Sequence, residues 1–462
     1  MTALTLHPDR LFPVDPAARD LARSIHAGTR DSPIISPHGH VSARMLADDE
    51  PFINPTQLLI TPDHYVTRLL HASGVELRQL LGDDVDPRAA WRLFCDHWGR
   101  FLGTPVRLWL EHELSSVFGV REQPSAANAD DLYDDLCARL RLPEFRPRAL
   151  LDQFGIAVLA TTDDPADDLA AHRTLNEAGY SVLPTMRADA YTDPSLPGWQ
   201  EALGRLGRSS GVDCGSYAGL LAALQARREY FRAQGATAID CGHVDAWATP
   251  LSESEAQRLH ADGLDGVISV AGATAYRRNM LYQFAAMSAE DGLVIQLHPG
   301  VLRNHHDPTR RRFGPDTGHD LPLATSFTQP LRQVLNDFGT AAQFRIVLFT
   351  VDETAFSREI APLAGFYPTV FAGAPWWFLD APAAILRHRA AVTETIGFYK
   401  TSGFIDDTRG LCSIPARHDM SRRLDAHYLA ELVVSHQLTE DDAHLIAGDL
   451  VSLIPRSTFR LP

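Results

Sequence analysis

Short apolar runs that alternate with helical stretches are the strongest constraint on the fold of this chain. Continuous runs such as residues 156–160 and 345–349 are typical of parallel strands that are buried on both faces of a sheet. Eight such runs, separated by helical segments, predict an α/β fold of the (β/α)8 TIM-like barrel type. The predicted strands cover residues 33–37, 155–161, 180–185, 236–240, 293–298, 345–350, 368–373 and 402–406.

The strands are unevenly spaced along the 462 residues. A long stretch with helical periodicity lies between the first two, so residues 42–150 are predicted to form a large helical insertion after strand 1, packed near the barrel mouth. The barrel with its insertion is expected to span residues 33–420, preceded by an N-terminal segment at residues 1–32. The tail, residues 421–462, is expected to begin as a helix, to pack on the barrel and to end as irregular chain.

Composition limits the partners of this chain. The net charge of −16 and the pI near 5.6 argue against nucleic acid and against anionic membranes, and no run approaches the eighteen apolar residues of a membrane span. Five cysteines without a CxxC spacing, and an N-terminus without a signal-peptide pattern, predict a reduced, cytoplasmic protein. The sequence leaves open whether the chain forms a homo-oligomer.

An HxH pair, His38 and His40, closes the first predicted strand. In a strand, residues two apart point to the same side, so these histidines can present two imidazoles to one point in space. Two converging imidazoles are half of a metal site. An isolated HxH pair is more often a surface or hydrogen-bonded pair, so the residues at the other strand ends decide between these alternatives.

Polar and aromatic residues follow most of the other predicted strands. Active-site groups of a (β/α)8 barrel lie just after each strand, at its C-terminal face. The candidates after strands 2, 3, 4, 5, 7 and 8 are residues 161–164, Arg187, Asp240, His298, Trp376 with Trp377, and Asp407 with Arg409.

Each candidate also has a structural alternative. Asp163 and Asp164, which precede Pro165, are typical of a helix N-cap. Trp376 and Trp377 would serve packing as readily as substrate stacking. The remaining alternatives are a structural ion pair for Arg187, a solvated strand end for Asp240, a buried core imidazole for His298 and a helix N-cap for Asp407.

The functional interpretation places Asp407 beside His38 and His40, because strands 1 and 8 are neighbours once a barrel closes. Two imidazoles and one carboxylate leave coordination positions open, which is typical of a catalytic metal. Lys400, the only lysine, precedes strand 8 and so lies at the opposite end of the barrel, which argues against a carbamate-bridged second metal. We therefore predict one divalent cation, with Zn²⁺ as the first choice and Mn²⁺, Co²⁺ or Fe²⁺ as alternatives.

A set of short motifs occurs in one order from about residue 20 to about residue 423. The motifs are HGH at 38–40, DHY at 63–65, TTDDP at 161–165, PTMR at 184–187, QLHPG at 296–300, GPDTG at 314–318, WWF at 376–378 and DTR at 407–409. In this order they resemble the uronate isomerase (glucuronate isomerase) family of the amidohydrolase superfamily. The combination of DHY, QLHxG and GPDTG is far more specific than HxH alone.

The resemblance implies aldose–ketose isomerisation of hexuronic acids, from D-glucuronate to D-fructuronate and from D-galacturonate to D-tagaturonate, at a mononuclear divalent-metal site. It implies that His38, His40 and Asp407 are the metal ligands. It implies catalytic roles for Asp407, Tyr65, His64 and Asp240 and substrate contacts for Arg187, His298, Trp376 and Arg409. Tyr65 or Asp407 is expected to move the proton between C2 and C1, His64 or Asp240 to open the ring, and Arg187 or Arg409 to hold the carboxylate.

Departures from the family pattern keep an alternative open. Ser36 stands where the family usually has an aspartate, and the arginine expected after strand 6 is absent around residues 351–353. The family's asparagine-rich C-terminal motif is also not found at residues 453–459. The alternative is a divergent enzyme of the same superfamily, a metal-dependent hydrolase or lyase that acts on another carboxylated substrate. A non-catalytic sugar-acid binding protein would require a decayed ligand set, whereas all three ligand residues are present.

Overall fold

The computed structural model describes residues 2–462, which contain ten short strands. Most are parallel and are separated by helices. The strands are β1 (Ile34–Ser36), β2 (Ile156–Ala160), β3 (Val182–Leu183), β4 (Met186–Arg187), β5 (Ala238–Cys241), β6 (Val294–Leu297), β7 (Val301–Leu302), β8 (Leu321–Pro322), β9 (Ile346–Leu348) and β10 (Val370–Ala372).

The parallel strands follow one another in chain order around a (β/α)8 barrel. One ladder joins β1, β2 and β3, and a second joins β4, β5, β6, β9 and β10. A parallel bridge between Asp163 and Met186 connects the two ladders, so β3 and β4 together occupy the third barrel position. The strands β7 and β8 form a separate antiparallel hairpin, which lies outside the predicted set.

The eighth predicted strand is not regular. Residues 402–406 have no regular secondary structure, and the pairing of this segment with β10 is limited to a bridge between Ala372 and Thr401. On its other side, His40 donates a backbone hydrogen bond to the Thr408 carbonyl at 2.9 Å. The prediction of a strand at 402–406 was therefore wrong in its secondary structure, although the segment occupies the eighth position between β10 and the chain that follows β1.

Helices make up most of the remaining chain. The N-terminal helix and the insertion contain α1 (Pro16–Thr29), α2 (Ala43–Asp48), α3 (Pro55–Leu59), α4 (His64–Ala72), α5 (Pro87–Asp96), α6 (Pro105–His112), α7 (Ala129–Arg139) and α8 (Pro147–Gln153). The barrel contains α9 (Ala170–Glu177), α10 (Asp189–Thr192), α11 (Trp199–Ser210), α12 (Tyr217–Ala233), α13 (Glu253–Leu264), α14 (Val270–Asp291), α15 (Asp307–Phe313), α16 (Arg332–Phe338), α17 (Ala361–Phe366) and α18 (Pro382–Ile396). The C-terminal helices are α19 (Ser413–Val434), α20 (Glu440–Val451) and α21 (Leu453–Phe459).

Burial explains why the central strands read as continuous apolar runs. Every residue of β5, β6, β9 and β10 is buried, because helices cover the outside of the barrel and side chains fill its interior. The few polar residues within these strands, such as Asp240 and Gln296, are buried as well. A buried carboxylate at a strand end needs partners, which directs attention to the C-terminal ends of the strands.

A helix cap in the insertion fixes the position of two predicted site residues, His64 and Tyr65. Asp63 is the N-cap of α4, and its Oδ1 accepts a hydrogen bond from the Tyr65 backbone N–H at 2.7 Å. This cap fixes the first helical turn, on which His64 and Tyr65 lie. Helix α4 thereby carries both side chains to the mouth of the barrel.

Two local predictions were wrong. No helix begins after Asp163 and Asp164: α9 starts at Ala170, while Asp164 accepts a bond from the Ala166 N–H in a turn. The tail does not end as irregular chain, since α20 and α21 follow α19. Helices α1, α19 and α20 bury a shared apolar cluster, because each of them carries an apolar face that a neighbour must cover.

Within residues 2–462 no helix combines the length and the apolar character that a membrane crossing requires.

Candidate active site

A cavity of about 560 Å³ opens at the C-terminal end of the barrel strands. It lies between the barrel, helix α4 of the insertion and the loop that carries β7 and β8. Nine of the ten predicted site residues line it: His38, His40, His64, Tyr65, Arg187, His298, Trp376, Asp407 and Arg409. The tenth, Asp240, lies beneath the cavity floor and is 1% exposed.

The predicted ligand triad converges in this cavity. Asp407 Oδ1 lies 3.3 Å from His38 Nε2 and 3.1 Å from His40 Nε2. Although this oxygen is buried, it has no hydrogen-bond partner among residues 2–462. Burial alone would raise the pKa of Asp407, but the two imidazoles outweigh burial and hold the pKa well below its usual range. Two imidazole nitrogens and an ionised carboxylate oxygen aimed at one point fit a divalent cation such as Zn²⁺.

Four of the nine non-glycine residues with a positive φ within residues 2–462 line the cavity. Asp407 has a φ of 41°, in the left-handed region that non-glycine residues rarely adopt. Trp377, Asn304 and Asp316 also have positive φ values of 55°, 56° and 60°, and all three line the cavity. Such conformations persist where the surrounding structure holds them, which is typical of functional sites.

The structural alternative for Asp407 was wrong. Asp407 is not a helix N-cap, since α19 begins six residues later, at Ser413.

Asp240 joins two of the predicted substrate contacts. Its Oδ1 lies 2.8 Å from His298 Nδ1, and its Oδ2 lies 3.0 Å from Arg187 Nη1. Burial would raise the pKa of Asp240, but the Arg187 guanidinium and His298 hold it well below its usual range. The prediction of a solvated strand end is therefore wrong, while Arg187 does form the ion pair that its structural alternative described.

A second set of donor atoms, from His38, Asp240 and His298, also converges. The hydrogen bond between Asp240 and His298 already occupies His298 Nδ1 and Asp240 Oδ1. The positive charge of Arg187 beside Asp240 opposes a cation there. The His298 ring packs between the rings of His38 and Phe349, at centroid distances of 4.8 and 4.1 Å. These contacts favour a single metal position at His38, His40 and Asp407.

His64 and Tyr65 stack on one another at the wall of the cavity, with ring centroids 4.8 Å apart. Burial lowers the pKa of His64 to about 4, so the imidazole is neutral near pH 7. Burial also raises the pKa of Tyr65 well above its usual value, so the phenol keeps its proton. The Arg417 guanidinium lies 5.0 Å from the centre of the Tyr65 ring and holds the ring by a cation–π contact.

Two arginines lie at the mouth of the cavity. Arg409 Nη2 is 2.9 Å from Asp316 Oδ2, and Arg303 Nη1 is 3.0 Å from Asp320 Oδ2. The Arg409 and Asp316 side chains are 38% and 39% exposed, so this pair remains accessible from the cavity. An anionic substrate would meet local cations here, although the chain as a whole is acidic.

Lys400 lies outside this cavity. Its Nζ donates to the carbonyls of Tyr367 and Pro368 at 3.1 and 3.0 Å and lies 4.1 Å from the centre of the Phe371 ring. These residues surround the start of β10, at the end of the barrel opposite the cavity. The only lysine is therefore not placed to bridge two metals.

Several cavity residues were not among the predicted site residues, and the charged ones include Asp189, Arg303 and Asp316. Asp189 lies two positions after Arg187, beyond a strand end, and this position was the signal that would have identified it. Arg303 and Asp316 belong to the loop around β7 and β8, which no barrel position predicts, although the GPDTG motif at 314–318 contains Asp316. Their approach to the site depends on how that loop folds over the strands.

Comparisons with known proteins identify the family and agree with the fold. Residues 17–454 match a family model described as glucuronate isomerase. A uronate isomerase from Corynebacterium efficiens is 50% identical over the full length of both chains. The crystal structure of a glucuronate isomerase from Caulobacter crescentus superposes with a TM-score of 0.97 at 43% identity, covering 99% of this chain and 98% of that one. A uronate isomerase from Thermotoga maritima superposes with a TM-score of 0.93 at 28% identity, covering 98% and 99%. The chain therefore belongs to the glucuronate isomerase family.

Proposed function

We propose that this protein interconverts aldose and ketose forms of hexuronic acids, from D-glucuronate to D-fructuronate and from D-galacturonate to D-tagaturonate. The observation that carries the proposal is the convergence of the His38–His40–Asp407 triad with nearby acid, base and cationic groups in one cavity. Membership of the glucuronate isomerase family supports the same reaction.

We propose that His38, His40 and Asp407 hold one divalent cation, with Zn²⁺ as the first choice. The bound cation would supply Lewis acidity that polarises a substrate oxygen. Support comes from the unpartnered, buried Asp407 Oδ1 and from the mixed nitrogen and oxygen donor set, which suits Zn²⁺, Mn²⁺, Co²⁺ and Fe²⁺.

The proton chemistry is assigned to side chains that line the cavity. Moving a carbonyl from C1 to C2 requires ring opening, transfer of hydrogen between adjacent carbons and relocation of a hydroxyl proton. Asp407 is ionised and suits the acceptor role at C2, whereas Tyr65 keeps its proton and suits the donor role. His64 is neutral near pH 7 and is assigned to ring opening, because a neutral imidazole both accepts and donates a proton.

Arginine contacts explain how an acidic protein would hold an acidic sugar. Either Arg187 or Arg409 is proposed to bind the substrate carboxylate as a bidentate partner. The two differ in their surroundings: Arg187 lies between the carboxylates of Asp189 and Asp240, whereas Arg409 faces Asp316. His298 and Trp376, whose rings lie 4.8 Å apart, are proposed to contact the sugar itself.

The direct test is an assay of the purified protein with D-glucuronate and with D-galacturonate, each with added Zn²⁺, Mn²⁺ or Co²⁺. We expect a ketose product that appears with wild type and is absent with Asp407→Asn. Lack of turnover of both sugars with every metal would refute the proposal. Release of a hydrolysis product from another carboxylated substrate, with both uronates inert, would favour a hydrolase instead.

We further propose a cytoplasmic location. All five cysteines are free thiols, and four of them are buried, which is typical of proteins in a reducing compartment. Fractionation of the source cells, with detection by antibody, would test this; recovery in an extracytoplasmic fraction would contradict it.

A further inference from the structure

The Arg187 guanidinium is held from two sides. Its Nε donates to Asp189 Oδ2 at 2.7 Å, and its Nη1 lies 3.0 Å from Asp240 Oδ2. Asp189 is itself fixed, because its two carboxylate oxygens accept the Gly242 backbone N–H at 3.0 and 3.2 Å. The Arg187 side chain is 26% exposed and lines the cavity. Nε and Nη1 of the guanidinium are thus paired with protein carboxylates, which leaves the remaining Nη N–H groups for a ligand.

The space that Arg187 occupies exists because residue 242 is a glycine. A Cβ at Gly242 would collide with Arg187 Nη2 and would lie 2.7 Å from Asp189 Oδ2. Real Cβ atoms do not approach other heavy atoms this closely. Gly242 follows β5 directly, so the guanidinium packs against the end of the neighbouring barrel strand. The glycine at position 242 is an observation independent of the ion pairs, and it supports the same placement of the Arg187 guanidinium.

We propose that Asp189 and Gly242 form a cradle that fixes the Arg187 guanidinium toward the cavity and thereby sets the affinity for the sugar acid. Both act as positioning residues through Arg187. This inference rests on the proposed function, because it assigns to that site the groups that determine how tightly an acidic sugar binds.

The physical basis is the flexibility of arginine. A free arginine side chain samples many rotamers. If it is fixed in one rotamer only when the ligand binds, the lost conformational entropy weakens the complex. A guanidinium that is already held in place by Asp189 avoids this loss when the substrate arrives. Asp189 is also well placed for this role because its own carboxylate is anchored by backbone rather than by another mobile side chain.

The first test needs no activity. The Arg187 Nε–H resonance in a proton–nitrogen spectrum, assigned by its absence from Arg187→Lys, reports directly on the bond to Asp189. We expect at least tenfold faster exchange with solvent in Asp189→Ala than in wild type, with Asp189→Asn intermediate because an amide oxygen still accepts a bond. Unchanged exchange in Asp189→Ala would overturn the cradle.

Asp245→Ala is the matched control. Asp245 pairs with Arg278 at 2.8 Å, and its side chain is 29% exposed, against 27% for Asp189. The two variants remove the same kind of ion pair at nearly the same exposure, but Asp245 lies outside the cavity lining. We expect wild-type Arg187 exchange and wild-type kinetics in Asp245→Ala.

The second test is kinetic. For Asp189→Ala we expect the KM for D-glucuronate to rise about 10- to 100-fold, the effect of losing a charge-assisted hydrogen bond, while kcat changes less than about threefold. In an Arg187→Lys background the same substitution is expected to have little further effect, because residues that act as a unit are non-additive. A purely structural role would leave the Asp189→Ala effect intact in that background and would refute the proposal.

Gly242→Ala tests the second half of the cradle without removing a charge. The added methyl group meets the ends of two side chains and no backbone, so the variant is expected to fold and to displace Arg187. We expect a rise in KM in the same direction as for Asp189→Ala, and a wild-type KM would overturn the role of Gly242. If wild type turned over no uronate, the proposed function would fail, while the exchange experiment would still decide on the cradle.

Discussion

Arg409 Nη2 and Asp316 Oδ2 lie 2.9 Å apart across the mouth of the cavity. The Asp316 carboxylate therefore pairs with the Arg409 guanidinium, which would otherwise be free to bind an acidic ligand. The left-handed backbone at Asp316, with a φ of 60°, holds this carboxylate in place at a cost in local strain. Substrate and Asp316 are expected to compete for Arg409.

Replacement of Asp316 by asparagine should therefore strengthen binding. A partly exposed ion pair contributes up to about 1 kcal/mol, so we expect the KM for D-glucuronate to fall about two- to fivefold in Asp316→Asn. Glu353→Gln, which removes an ion pair with Arg387 away from the cavity, should leave KM unchanged. A higher KM in Asp316→Asn would mean that Asp316 contacts the substrate.

Removal of the metal ligands should abolish activity but not folding. His38→Ala and Asp407→Asn each delete one donor of the triad, and we expect kcat/KM to fall at least about 1000-fold. Metal content, measured by inductively coupled plasma mass spectrometry, should drop from about one ion per chain to near zero. His444→Ala, at a partly exposed helix position, is the histidine control.

Chelation provides the same test without mutation. Dialysis against dipicolinate should inactivate wild type, and addition of Zn²⁺ or Mn²⁺ should restore activity. Full activity in a preparation shown to contain no metal would contradict the triad assignment.

Glu113 should reduce stability as the pH rises. Its side chain is buried in the π-helical turn Glu113–Val117, and burial, together with the nearby Asp63 carboxylate, raises its pKa from 4.5 to about 8. The folded state therefore holds a proton that the unfolded state releases above pH 4.5. The free energy of unfolding falls accordingly between pH 4.5 and pH 8.

Glu113→Gln should remove this pH dependence. We expect the variant to match wild type below pH 4.5 and to exceed it by about 3 kcal/mol at pH 7 in urea denaturation. Glu229→Gln, an exposed substitution on α12, serves as the control. Equal stability of Glu113→Gln and wild type at pH 5 and pH 8 would show that the carboxyl titrates normally.

Asp419 should stabilise the folded state, with a pH dependence opposite to that of Glu113. Burial would raise its pKa, but His26, Arg10 and Arg423 outweigh burial and hold the pKa well below its usual range. The contribution is therefore present above pH 3.8 and is lost as the pH falls through the folded-state pKa.

Asp419→Asn should cost about 2 kcal/mol at pH 7, because it leaves Arg10 and Arg423 without their shared partner. The difference from wild type should shrink steadily between pH 4 and pH 2. Asp31→Asn, in an exposed pair with Arg30, should change the free energy of unfolding little at either pH. A constant difference across the whole pH range would indicate a packing effect instead.

Much of the fold could be predicted from the apolar runs. Burial on both faces leaves a strong signal, and seven of the eight predicted strands, for example residues 293–298 around β6, contain regular strand structure. The eighth was wrong because residues 402–406 hold their position mainly through the chain after β1 and through a single bridge to β10. Hydrophobic patterning does not distinguish a buried strand from buried chain without regular secondary structure.

The candidate site was predictable where a residue follows a strand. His38, His298 and Asp407 are adjacent to barrel positions, and the closure of a barrel brings such positions together. In the loop around β7 and β8, the GPDTG motif at 314–318 marked Asp316, but its pairing with Arg409 was not predictable. No periodic pattern describes that loop, because its path depends on contacts with α4, such as the approach of Gly318 to Arg68.

The sequence by itself determined the barrel class, the order of the chemically active residues around it and the identity of the donors that could hold a metal. These follow from the periodicity of apolar residues and from chain order, because strands that follow one another in the chain are neighbours in the barrel. Only the tertiary structure decided which carboxylate each arginine faces, as in Arg187 with Asp189 and Asp240. Such pairings depend on side-chain rotamers and on space a few ångströms wide, such as that left by Gly242, and these arise only when distant segments pack against one another.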